Sequence, residues 1–226
     1  MSTIHVTYFS DVLCVWAYVA QPRLEELKLQ HGHQIALEYR FCSVFGDAHF
    51  KLDTAWRERD GFAGYARHVQ TTVERFGAPL HPDTWLRTRP ASSMSPHLFL
   101  RAIMDWEREV VGPAGALDRS EQAIWALRKG FFADGHDIGR HQVQRALVAP
   151  LGIDLDAVEH RILSGSAFAS LAADYQEAEK SRVEGSPTFI LNNGRQKLYG
   201  NIGFRILDAN IRELLRHPNA DEASWC

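Results

Sequence analysis

The chain is poor in cysteine. Its 226 residues include three, Cys14, Cys42 and Cys226. So small and odd a number excludes the disulfide framework of a compact secreted domain, and no two of them have metal-ligand spacing. Long apolar runs are also missing. None approaches the ~18 residues needed to cross a bilayer, so no membrane partner is expected. Nor does one sign of charge dominate. Twenty-five Lys and Arg face 28 Asp and Glu, a net charge of −3, and no basic run stands out, which argues against a nucleic-acid partner. Met1-Ser2-Thr3-Ile4-His5 has neither a basic n-region nor an apolar h-region, so no secretory signal is expected and the reading is cytoplasmic. The eleven histidines are scattered. His31/His33 and His136/His141 lack the carboxylate and cysteine company of a metal site, so no metal is expected and most of the histidines read as surface residues.

Hydrophobic residues make up 45% of the chain, enough for one large domain or one domain carrying an insertion. Ile4 to Phe9 alternates and reads as a strand. Tyr18 to Gln30 reads as a helix, interrupted at Pro22 by the missing amide. Gln34 to Phe41 alternates again, making a βαβ unit with parallel pairing as the default. From about residue 53 to 180 the pattern is helical. Phe62, Tyr65, Ala66, Val69, Val73 and Phe76 form one stripe, closed by Gly77 and Pro79. Ser95-Pro96 reads as a helix cap followed by proline, Gly112-Pro113-Ala114-Gly115 as a break, and Asp118 with Glu121 as a capping box. Further helices are expected over His141 to Val148, from Asp154, and over Ala167 to Arg182. Thr188–Leu191 and Gln196–Tyr199 flank Asn193-Gly194, a hairpin signal. Phe204, Leu207, Ile211 and Leu214 mark a last helix ended by His217-Pro218, with a frayed tail over Asn219 to Cys226. Neither end unit can bury enough surface alone, so one sheet built from both is expected, with the helices of 53–180 as an insertion covering one side. Residues 1–52 and 181–226 then form the sheet domain.

Ser10-Asp11-Val12-Leu13-Cys14-Val15-Trp16-Ala17 lies where the first strand passes into a helix. Free amides and the positive end of the helix dipole favour a thiolate there, so Cys14 is the candidate nucleophile. A dithiol motif would place its second cysteine at 17, and this chain has Ala17. Cys42, at the end of the second strand, reads first as a core cysteine, with a resolving role for it or for the terminal Cys226 left open. Trp16 reads equally as a rim or a core residue. Trp56, Phe62, Tyr65 and Phe76, with Trp85, Trp106 and Trp125, read as insertion core. By residue pattern alone Pro187 is a strand-start proline.

Taken together, Ser-Asp-x-x-Cys-x-Trp at a helix head, a helical insertion, and Gly185-Ser186-Pro187-Thr188-Phe189 before a hairpin resemble the DsbA family of the thioredoxin fold. Gly130 to Gly139 and Val183 to Asn192 resemble its FrnE-like branch. The resemblance covers nearly the whole chain. It implies a thioredoxin-like α/β fold, βαβ then ββα, with an all-helical insertion. It implies that Pro187 is a cis-proline facing Cys14, and that Ser186, Pro187, Trp16 and Ala17 contact the substrate. Since Ala17 replaces the second cysteine, the implied activity is a monothiol thiol–disulfide oxidoreductase. Its partner is a thiol or disulfide (a peptide, a protein or a glutathione adduct), and an outside thiol such as glutathione serves as co-substrate, with no covalently bound cofactor. Two alternatives stay open. One is a glutathione-dependent isomerase or transferase, like the 2-hydroxychromene-2-carboxylate isomerases and kappa-class transferases that share this fold. The other is a binding module without redox turnover. A homodimer is also left open.

Overall fold

The structure is a computed structural model that describes residues 3–112 and 117–217. The tail from Asn219 with Cys226, and Pro113, Ala114 and Gly115 of the expected break, lie outside the described residues.

Four strands form one sheet in the order β2-β1-β3-β4. β1 (Ile4–Ser10) and β2 (Ile35–Phe41) run parallel, with Ile4 opposite Ile35 and Ser10 opposite Phe41. β3 (Thr188–Leu191) lies antiparallel on the other side of β1, Phe9 opposite Thr188. β4 (Gln196–Tyr199) completes the antiparallel hairpin. β3 is buried throughout, as an interior strand must be, whereas β4 alternates and keeps Lys197 outward on the free edge. Asn192, Asn193 and Gly194 all take positive φ in the turn between them, the conformation Asn and Gly reach most easily.

The expected helix from Tyr18 to Gln30 is two: α1 (Val15–Val19) and α2 (Gln21–His31), parted at Ala20. Pro22 stands in the first turn of α2, where its missing amide costs no helical bond. The helices between β2 and β3 begin earlier than residue 53, with α3 (Ala48–Ala55) capped by the Asp47 carboxylate on Phe50 N. There follow α4 (Gly61–Phe76), α5 (Met94–Val111), α6 (Asp118–Phe132), α7 (His141–Val148), α8 (Leu155–Leu163) and α9 (Ser166–Lys180). α10 (Phe204–Arg216) follows β4 and packs on α2 and β1.

Two expected helix starts are corrected. α5 begins at Met94, and the Ser95 hydroxyl bonds the Gly139 carbonyl instead of capping. α6 has no local capping box. The Glu107 carboxylate of α5 accepts from Arg119 N at 2.8 Å and from Ser120 N at 2.7 Å, while Glu121 pairs with Lys28. A buried carboxylate from a neighbouring helix satisfies the free amides that a local Glu would otherwise have to reach.

One apolar core joins the sheet to the helices, including Val6, Tyr8, Leu13 and Phe189 with Val69, Phe99 and Phe131. A smaller cluster on the opposite sheet face holds Phe9, Cys42 and Ile190 against Ala178 of α9. At the centre of the helices Trp85 is fully buried, its ring 5.3 Å from Phe45, 5.4 Å from Tyr65 and 5.2 Å from Phe131. Trp106 is buried and Trp125 half-buried, in keeping with their reading as insertion core.

Candidate active site

β1 ends inside the sheet, so the chain leaving it must turn among the ends of β2 and β3. Cys14 is the N-cap residue of α1, in extended conformation. Its Sγ donates to the Ser186 carbonyl at 3.2 Å. The Ser186–Pro187 peptide is cis. The Ser186 hydroxyl accepts from Asp11 N at 2.9 Å, so the loop before β3 is bonded to the Cys14 turn at two points. Ala17 is fully buried in α1 beneath the thiol, and no second sulfur lies there. Trp16 is half-buried. It leans edge-on against His68 at 5.9 Å and Phe76 at 6.3 Å of α4, so it joins an aromatic wall that also holds Tyr65 of α4 and Trp56 at the end of α3.

Burial works against the thiolate that the helix head favours. Cys14 is only 5% exposed. Burial pushes its thiol above the ordinary value, and the charge of Asp11 adds to this, while the Ser186 side chain and the amides of Ala17 and Trp16 pull the other way. α1 has five residues, too few for a large dipole, and losing water outweighs what its first amides return. Cys42 lies in the cluster on the other sheet face, 4.0 Å from the Gly185 carbonyl, and burial pushes its thiol up as well.

Four residues of this site are not legible from the sequence pattern: Asp11, Ser93, His97 and Tyr175. Asp11, fully buried, accepts from Leu13 N, Val44 N, Phe45 N and the Ser93 hydroxyl at 2.7–2.9 Å. His97, also fully buried, accepts from Val12 N at 3.0 Å through Nε2, and its Nδ1 lies 3.0 Å from the Tyr175 hydroxyl. An imidazole that accepts at Nε2 is neutral and carries its proton on Nδ1. His97 and His31, the latter buried against Asp208, are the exceptions to the reading of most histidines as surface residues. The signals for the two central residues are faint: an Asp inside the cysteine motif, and a His one turn into a helix.

Burial lowers the His97 pKa from 6.5 to about 4, with Asp11 opposing and Arg128 reinforcing. A base with a depressed folded-state pKa contributes stability that is complete above the unfolded value and is lost as pH falls. His97 therefore withdraws roughly 3 kcal/mol between pH 6.5 and 4. Urea unfolding of the wild type and His97→Gln should show the stability gap shrinking by that order from pH 7.5 to 4.5. An unchanged gap contradicts the assignment.

The family model described as a DSBA-like thioredoxin domain matches residues 5–212. The curated relatives include the ClpXP adapter protein SpxH of Halalkalibacterium halodurans, 22% identical over 84% of this chain. The chain spans 59% of the length of that relative. SpxH of Shouchella clausii is 24% identical over 94% of this chain and 67% of its own. Among solved structures, a probable DsbA oxidoreductase from Streptomyces coelicolor aligns with a TM-score of 0.72 at 17% identity, covering 99% of this chain and 94% of the other. The cytosolic disulfide reductase DsbM of Pseudomonas aeruginosa aligns at 0.65 and 20%, covering 92% and 99%. A 2-hydroxychromene-2-carboxylate isomerase aligns at 0.65 and 19%, covering 97% and 100%. At these identities the structural likenesses establish the thioredoxin-like fold with added helices.

Proposed function

Because the chain belongs to the DSBA-like thioredoxin domain family, we propose that it is a thiol–disulfide oxidoreductase working through one thiol. The observation that carries this is the Cys14 sulfur at a helix head, 3.2 Å from the carbonyl that precedes Pro187, with Ala17 where a second thiol would stand. The Cys14 thiolate attacks one sulfur of a disulfide, R–S–S–R′. A Cys14–S–S–R bond forms, the S–S bond breaks, and R′S⁻ leaves with the electron pair and takes up a proton. A second thiol, glutathione in this reading, then attacks the Cys14 sulfur or the R sulfur. Attack at Cys14 frees RSH, and a further glutathione releases the enzyme as the free thiol with oxidised glutathione. Ser186 and Pro187 present an edge of backbone against which an extended peptide can lie, and Trp16 with the His68 wall borders it. Burial of Cys14 asks for a small opening of the turn before attack, since only the thiolate is nucleophilic.

The test is mass spectrometry of the protein mixed with a glutathionylated peptide. The wild type should accumulate an adduct on Cys14 that clears on adding glutathione, and Cys14→Ser should give neither adduct nor turnover. Turnover retained by Cys14→Ser would sink the proposal.

A second reading has one observation in its favour. A thiol held protonated by burial suits a module that binds protein without turnover, and two curated relatives are named as ClpXP adapters. Under it the wild type forms no adduct in the same experiment.

A further inference from the structure

The geometry points to Asp11 as the positioning residue of this site: it joins the cysteine turn to three separate parts of the chain and so aims the Cys14 sulfur. This deepens the oxidoreductase reading and rests on Cys14 being the working thiol.

Asp11 meets both walls of the site. Its main-chain carbonyl accepts from Cys14 N at 3.1 Å, and its main-chain amide donates to the Ser186 hydroxyl at 2.9 Å. Its carboxylate Oδ1 holds Leu13 N at 2.9 Å, fixing the residue just before the cysteine. The other oxygen, Oδ2, accepts from three donors: Val44 N at 2.9 Å, Phe45 N at 2.8 Å and the Ser93 hydroxyl at 2.7 Å. The first two belong to the segment after β2 and the third to the residue before α5. Ser93 N in turn donates to the Phe45 carbonyl at 2.8 Å, which knits those two segments together.

The carboxylate is completely buried, and its four hydrogen-bond donors among the described residues are all neutral. The basic group beside it, His97 Nε2 at 3.7 Å, is the acceptor of Val12 N and is neutral. A buried charge held only by neutral donors is expensive, and an apolar core would be the cheaper way to gain stability. What the carboxylate does that an apolar side chain cannot is fix four donors at once around the turn. His97 supplies a second hold on the same turn through Val12, braced by Tyr175 of α9. Among the described residues, Cys14, Cys42, Tyr65, His97 and Tyr175 sense the Asp11 charge, Tyr8, Cys42 and Tyr65 also sense Cys14, and the buried Arg128 guanidinium acts on Tyr8, Cys42 and His97, so Cys14 reports on Asp11 directly.

The experiment is alkylation of Cys14 as a function of pH, followed at that residue by mass spectrometry, in wild type, Asp11→Asn and Ser93→Ala. Asn keeps the size of Asp11 but cannot accept at both ends. Loss of the charge should move the alkylation midpoint of Asp11→Asn down by about 0.5–1 unit, about a three- to ten-fold faster reaction at neutral pH, while turnover of a glutathionylated peptide falls in kcat and not KM. Ser93→Ala leaves the charge and frees the turn from α5. It should raise the rate about two- to five-fold, the equivalent of one neutral hydrogen bond, with the midpoint unmoved. A folded Asp11→Asn whose profile superimposes on the wild type overturns the assignment. If Asp11→Asn does not fold, a Ser93→Ala rate equal to the wild type overturns it. Absence of turnover in the wild type would count against the oxidoreductase reading alone, because the alkylation profiles do not depend on it.

Discussion

Ala17→Cys shortens the life of the mixed disulfide on Cys14 by about a thousand-fold or more. The position is three residues along from the N-cap, on the same short helix, and its amide already faces the Cys14 sulfur. A thiol placed there attacks the Cys14–S–S–R bond as an intramolecular neighbour. Well-oriented neighbours act with effective concentrations of about 10⁵ M and above, against the millimolar range of a free thiol, so even poor alignment leaves the factor of about a thousand. The new product is an internal disulfide between Cys14 and the introduced sulfur, and RSH leaves without help from glutathione. Stopped-flow quench followed by mass spectrometry of the adduct is the measurement. The site has little slack, since Ala17 is fully buried, and the extra sulfur costs about 1 kcal/mol of overpacking. An adduct in Ala17→Cys as long-lived as in the wild type would mean that the residue at this position does not face the reacting sulfur.

The second large effect is on stability. Trp85→Ala should cost about 4 kcal/mol, within the span seen when a large buried aromatic is cut back to a methyl. The ring is fully enclosed by Phe45 after β2, Phe62 and Tyr65 of α4, and Phe131 of α6. None can move into the space without leaving another contact. For a chain this long the loss lowers the melting temperature by about 8–16 °C. Trp85 also takes a left-handed backbone (φ 61). Alanine tolerates this no better, so the variant regains little strain energy. Calorimetry would decide, and a fall of under about 3 °C would contradict the central place given to this ring.

Much of the fold can be read because its signals are local. The alternation of Ile4, Val6 and Tyr8 finds β1, and Asn193-Gly194 places the hairpin. The stripe from Phe62 to Phe76 finds α4, whose residues Tyr65, Val69 and Val73 are buried. Cys14 can be singled out because strand and helix patterns meet on it. The remainder of the site is hidden because its bonds span the chain. Val12 and His97 are 85 residues apart, and Asp11 and Ser93 are 82. No periodicity links such pairs. What opposes a thiolate at Cys14 is hidden for a related reason. The helix head is visible in a short window of sequence, but the burial that opposes it comes from segments that only the fold brings near. Glu107 displaces the expected capping box in the same way, reaching α6 from α5.

The position of β1 also bears on how the molecule is made. Its two neighbours in the sheet are separated by about two-thirds of the chain: β2 follows at Ile35, but the other flank waits for Thr188–Leu191. A ribosome adding about 5–20 residues per second therefore leaves one flank of β1 bare for roughly 7–30 s after its partner on the other side is in hand. During that time the strand exposes the backbone donors and acceptors that invite pairing with another chain. Closing so long a loop also makes the last sheet-forming step slow. The cysteine turn, which needs Ser186 to be complete, is thus among the last parts of the molecule to be assembled, and a nascent chain carries the thiol well before it has a site.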